Sequence, residues 1–189
     1  MRHSAMANQS AQIATICECI DHCFAFTMWC DDFARYIDPE DRFHGQERAE
    51  EVVSDATRLH SFLALRKLDE FFSDKKAKND DLIAEDLGVD LATVLVRAGE
   101  KFLTTEDRNN INKGVAHLTE RLTLDPDSEV DLHRILTRSL PAMSRLVVEI
   151  RKMNTDQDTV RILDRTEALV VRETGIAADK ARDPNYVRP

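Results

Sequence analysis

Glycine and proline are both scarce here, with five of each in 189 residues. Both residues interrupt helices, so a chain poor in them and rich in Leu, Ala, Glu and Arg is built mostly of helix. No segment approaches the ~18 uncharged apolar residues of a membrane-crossing helix, and no membrane span is expected. The opening stretch MRHSAMANQSAQIA lacks the apolar core of a secretory signal, which points to the cytoplasm. A glycine-rich phosphate loop, an HExxH pair, a nucleophilic serine elbow and internal repeats are all missing. The sequence signatures of zinc peptidases, phosphate-loop NTPases and serine hydrolases are therefore not found, and no cofactor is expected. Positive charge is also in deficit: 26 Lys and Arg against 35 Asp and Glu leave a formal charge of −9. That balance disfavours sequence-independent binding to a long nucleic acid, while still allowing a local basic face.

What remains is enough for one domain with a sizeable core, burying about 70% of its unfolded surface. Residues 10–175 read as a single all-α bundle, with loose tails at 1–9 and 176–189. The four cysteines, Cys17, Cys19, Cys23 and Cys30, fall within one helical stretch that also holds His22. No second Cys or His cluster answers them, so buried reduced thiols packing as small hydrophobes are favoured, with a metal or redox site as the alternative. No metal ligand is assigned.

Along the chain, apolar spacing predicts a first helix over Gln9–Ile37. It has one stripe of Ile13, Ile16, Cys17, Ile20 and Phe24, and then a second half apolar nearly all round, through Phe26, Trp29 and Phe33. Asp38-Pro39 stops it. A second helix follows over Gln46–Phe72, with Val52, Ala56, Leu59, Phe62, Leu63 and Leu68 inward. Arg66 lies on the edge of that stripe within a turn of Asp69 and Glu70, where it reads as either a structural ion pair or a cation facing a site. His60 reads as a surface flank. Asp80 or Asp81 caps a short helix ending by Gly88, and Asp90 caps the next through Ala98. Beyond Asp125-Pro126, Ser128 is a plausible cap for a helix reaching Met153. It turns Leu132, Leu136, Leu140, Met143, Leu146, Val147 and Ile150 one way and a basic row of Arg134, Arg138, Arg145 and Lys152 the other. That row is either a solvated face or a contact for RNA phosphates or an acidic partner. A last helix spans Asp156–Thr174 and stops near Gly175. Val160, Leu163, Val170 and Val171 lie on one edge, Ile162 and Leu169 on the other.

The central stretch is Thr104–Leu124, TTEDRNNINKGVAHLTERLTL. Thr105 can cap it, and Glu106 and Asp107 suit its positive end. Ile111, Val115, Leu118 and Leu122 form the buried stripe. His117 lies ~130° from that stripe, with Asn110, Lys113 and Arg121 beside it. The run Asn112 to Thr119, preceded by Arg108-Asn109-Asn110, resembles the HEPN helical proteins, in particular the AbiU-like branch associated with abortive infection. Ala64-Leu65-Arg66-Lys67-Leu68-Asp69 and Asp80-Asp81-Leu82-Ile83 look like the same branch, so the resemblance covers roughly residues 50 to 125.

The resemblance implies an up-and-down HEPN-like bundle with an additional C-terminal helix, commonly dimeric and often a metal-independent RNase. His117 would serve as acid or base, with Lys113 or Arg108 as the cation that stabilises phosphorane charge. Asn110, Asn112, Arg121 and Arg66 would line the substrate side. One departure stands out: the family pattern places its Arg five to seven residues before the His, and here those positions hold Asn112, Ile111 and Asn110. Arg108 sits nine residues before His117, ~180° away on a continuous helix. Either the helix starts after Arg108, letting the arginine fold back, or the catalytic pair is lacking. Two readings follow: a defence or toxin–antitoxin endoribonuclease, or a non-catalytic bundle binding RNA, a nucleotide or a cognate protein. A homodimer is expected from the aromatic half of the first helix and the two apolar edges of the last.

Overall fold

The computed structural model describes residues 2–29, 46–73, 82–95, 101–120, 131–153 and 156–183. Its elements are α1 (Arg2–Cys23), α2 (Gln46–Phe71), a 3₁₀ turn (Ala84–Leu87), α3 (Leu91–Val94), α4 (Thr105–Glu120), α5 (Leu132–Met153) and α6 (Gln157–Arg182). Among the described residues there is no strand, and the fold class is all-α. No described helix is long and apolar enough to cross a membrane.

Helix α1 is the hub, packing on α2, α5 and α6, while α2 carries α4 and α5 carries α3. Its expected stripe of Ile13, Ile16, Cys17, Ile20 and Phe24 is buried, and Cys19 and Cys23 add a second covered flank. A helix covered on several sides has little wet face to keep polar, which explains its small thiols among isoleucines.

The first helix is not continuous. It breaks at Phe24 and resumes over residues 25–29, and the predicted end at Ile37 lies outside the described residues. Ser61 of α2 accounts for the break. In a regular helix the Phe26 amide would donate to the His22 carbonyl. Here it donates instead to Ser61 Oγ at 3.2 Å, and the Ser61 hydroxyl donates to the His22 carbonyl, also at 3.2 Å. A side chain inserted into the i→i−4 ladder is a recognised cause of a kink, and this one leaves neither backbone group orphaned.

Helix α2 matches its predicted span, but its buried face is narrower than expected. Ser61, Phe62, Ala64, Leu65, Leu68 and Phe71 are buried, whereas Val52 and Leu63 are 47% and 41% exposed and Ala56 is exposed. The packed part is the C-terminal half, where α1 meets Ser61 and α4 meets Phe62. At that second contact Gly114 allows the close approach: a Cβ there would sit 2.6 Å from Phe62 Cε2.

Gly88, at φ 73°, closes the 3₁₀ turn as expected, while Asp80 and Asp81 lie outside the described residues. Asp90 does cap α3, accepting the Ala92 amide at 2.9 Å, but the helix ends at Val94 and not near Ala98. In α5 the whole predicted apolar row is buried. Its N-terminus is capped by Asp131, whose Oδ1 accepts the Arg134 amide at 2.8 Å, and Ser128 lies outside the described residues.

Helical geometry extends past both expected boundaries. It begins at Arg2, within the predicted tail, and α6 passes through Gly175 to Arg182. Gly175 is exposed, with nothing near its missing Cβ, so no left-handed stop is imposed there. The buried seam of α6 is Thr159, Leu163, Thr166, Val170 and Glu173, spaced alternately by four and three residues. Val171, placed by its spacing on the same edge as Leu163 and Val170, is 62% exposed. Polar seam residues hid this pattern. Thr159 Oγ1 meets Ser10 Oγ at 3.0 Å and Thr166 Oγ1 meets Asp21 Oδ1 at 3.3 Å, both across to α1.

Candidate functional site

Helix α4 carries most of the residues singled out from sequence, and its entry is set one residue earlier than expected. The cap is Thr104, not Thr105. Thr104 Oγ1 accepts the Asp107 amide at 3.1 Å, and Asp107 Oδ2 accepts the Thr104 amide at 3.2 Å and the Thr104 hydroxyl at 2.7 Å. This reciprocal box satisfies donors that a helix start leaves orphaned. Asp107 is only 1% exposed, and its Oδ2 also receives Arg138 Nη1 at 2.8 Å. A buried carboxylate so loaded with donors is a structural anchor joining α4 to α5.

Because the helix starts at Thr105, Arg108 is already inside it, and the fold-back geometry does not occur. Its guanidinium instead forms a two-point bond with Asp69 of α2: Nε to Oδ2 at 2.6 Å and Nη2 to Oδ1 at 2.8 Å. The Leu103 amide also donates to Asp69 Oδ1 at 3.3 Å. The Asp69 bond comes first among the influences holding the Arg108 guanidinium protonated, above its ordinary range.

Position 117 lies nine residues on, ~180° around the same continuous helix and about 13 Å along its axis. The His117 side chain and Arg121 lie outside the described residues. Lys113 and Asn112 are exposed and Asn110 is half-buried, while Ile111 is fully buried on the opposite side, as its spacing predicts.

The predicted basic row of α5 is taken up within the molecule. Arg134 pairs with Glu106 at 3.3 Å, Arg138 with Asp107, and Lys152 with Glu149 at 2.6 Å. Arg145 Nε donates to the Val94 carbonyl at 2.5 Å, closing the end of α3. These cations fasten helix to helix or brace their own helix. Sequence alone could not reveal this, because each inter-helix partner sits on a different element.

Arg66 is arranged differently. It is exposed and lies in a groove of about 340 Å³ between α1 and α2, together with His22, His60, Lys67, Glu70 and Cys19. The rings of His22 and His60 meet edge to face with centroids 4.1 Å apart. Burial, then the neighbouring His22 and Lys67, holds His60 below its ordinary value, against a weaker pull from Glu18. His60 is exposed, as its flank position predicts, while its pairing with His22 was not legible because His22 comes from another helix.

Cys17, Cys19 and Cys23 are buried free thiols. Burial pushes Cys17 up to about 11 despite a hydrogen bond from Thr166, and raises Cys19 and Cys23 as well. They pack as small hydrophobes, and Cys30 lies outside the described residues. Among the described residues no group of three or more His, Cys, Asp or Glu side chains is arranged to hold a metal ion.

Comparison with protein-family models, curated proteins and solved structures finds no significant match to this chain.

Proposed function

We propose that the chain is a HEPN-like helical module of a bacterial defence or toxin–antitoxin type that acts by holding a cognate protein and not by cutting RNA. The observation that carries this reading is the engagement of Arg108 by Asp69 at 2.6 and 2.8 Å on the far side of α4 from position 117. Metal-independent RNA cleavage needs a proton-transfer group and a cation converging on one scissile phosphate. Lys113, one turn before His117, supplies charge without the planar two-point grip of arginine. The engaged α5 cations and the net charge of −9 also favour a protein partner over an RNA backbone.

The test is incubation of the purified protein with mixed RNAs beside His117→Ala and Lys113→Ala. No cleavage dependent on His117 is expected. Cleavage abolished by His117→Ala would replace this reading with that of a metal-independent endoribonuclease.

A homodimer is the second part of the proposal. Met28, Trp29 and Ile162 line one groove of about 680 Å³ between α1 and α6, joining the aromatic half of the first helix to the outer edge of the last. A twofold contact would cover these apolar groups reciprocally. Light scattering across a dilution series should give the mass of two chains at micromolar concentration, and Ile162→Glu should halve it. A wild-type mass of one chain throughout would reject the dimer.

A further inference from the structure

We propose that the groove between α1 and α2, lined by Arg66, Lys67, His22 and His60, is a binding site for a phosphomonoester on a small organic body. This inference stands on that groove alone and holds whatever α4 contacts.

The first observation concerns Arg66. Among the arginines whose side chains are described, it is the one with neither a hydrogen bond nor an ion pair nor a ring contact. The others reach Asp21, Asp69, Glu106, Asp107, the Val94 carbonyl or another acceptor, or in the case of Arg58 stack over Phe26. The nearest acid along its helix, Asp69, is unavailable because Arg108 and the Leu103 amide hold both its oxygens. Lys67 is likewise unpaired among the described residues, and Glu70, though it lines the groove, bonds to neither cation.

The second observation is what surrounds the histidine pair. The groups around the histidine pair are Glu18 and Asp21 on α1 and Arg66, Lys67 and Glu70 on α2. Glu18 lies 4.0 Å from His22 Nε2, leaving His60 against His22 and Lys67. Arg66 and Lys67 bond to none of these acids and so remain open to an anion. Arginine offers a planar fork that matches two phosphate oxygens, and a ring N–H of each imidazole adds a further donor.

The third is size. About 340 Å³ exceeds what a bare tetrahedral anion fills and reaches the lower range of small-molecule sites, roughly 300–1,000 Å³. Leu63, 41% exposed, forms an apolar wall with Ala64 against which an organic body would rest.

Titration calorimetry with phenyl phosphate, and with inorganic phosphate at matched ionic strength, tests the proposal, with the histidine proton resonances followed in parallel. Phenyl phosphate should bind one to one, shift both histidines, and weaken at least tenfold in Arg66→Ala while that variant keeps its helical circular dichroism. Inorganic phosphate should bind more weakly. No saturable shift at millimolar phenyl phosphate, or equal affinity in Arg66→Ala, would overturn the site. Equal affinity for inorganic phosphate would overturn the organic-body assignment.

Discussion

Two regions of this molecule are rich in arginine, lysine and histidine, and they use that charge in opposite ways. Across the α2–α4–α5 contacts the arginines end on an acceptor from another helix: Arg108 on Asp69, Arg134 on Glu106, Arg138 on Asp107. In the α1–α2 groove Arg66 and Lys67 end on none among the described residues, and His22 and His60 face each other. Cations of the first kind hold the bundle together; cations of the second kind stay available to a ligand. A basic row in a sequence is therefore not by itself a recognition surface, and an isolated arginine is not by itself decoration.

Removing the most buried member of the paired region should break the contrast most visibly. Asp107→Ala deletes the carboxylate half of the α4 capping box and the acceptor of Arg138 together, and is expected to cost about 2–4 kcal/mol. A urea midpoint within error of wild type would remove Asp107 from its anchoring role.

A paired comparison sharpens the point. Arg108→Ala loses a two-point bond to a mostly buried carboxylate and should destabilise by about 1–2 kcal/mol, discounted because Arg108 is itself partly exposed. Arg66→Ala should leave stability within about 0.5 kcal/mol, as for a surface change away from any structural feature. Denaturation curves of the two variants, run side by side, should separate; coincident curves would erase the distinction between the regions.

The smallest effect is a pH dependence. His60 titrates below its ordinary value of 6.5 in the folded chain, chiefly through burial and then through His22 and Lys67. The unfolded chain thus takes up this proton first as pH falls. Stability is expected to decline from pH 6.5 downward until the folded value is passed, and to level off below it. His60→Gln should flatten that component in urea midpoints measured between pH 7.5 and 5. An unchanged profile in the variant would assign the dependence to other groups.

Much of the helical framework was legible in the residues. The span of α2, the cap at Asp90, the turn at Gly88 and the whole buried row of α5 follow from period and cap chemistry. Even the Thr104–Asp107 box can be read as Thr-x-x-Asp, and only the choice between adjacent threonines went astray. Less legible was the seam of α6, where Thr159, Thr166 and Glu173 replace apolar residues and their packing against α1 rests on hydrogen bonds.

The amino-acid sequence by itself determined that the described chain is helical and where most helices run, because helical period and capping are local properties with a reach of about four residues. Only the tertiary structure decided which charges are bound and which are free. Arg108 meets Asp69 across 39 positions of chain and Arg138 meets Asp107 across 31, whereas Arg66 has acids three and four residues away and pairs with neither. A guanidinium binds the acceptor that packing brings to its tip in the right plane, and nearness along the chain does not supply that geometry.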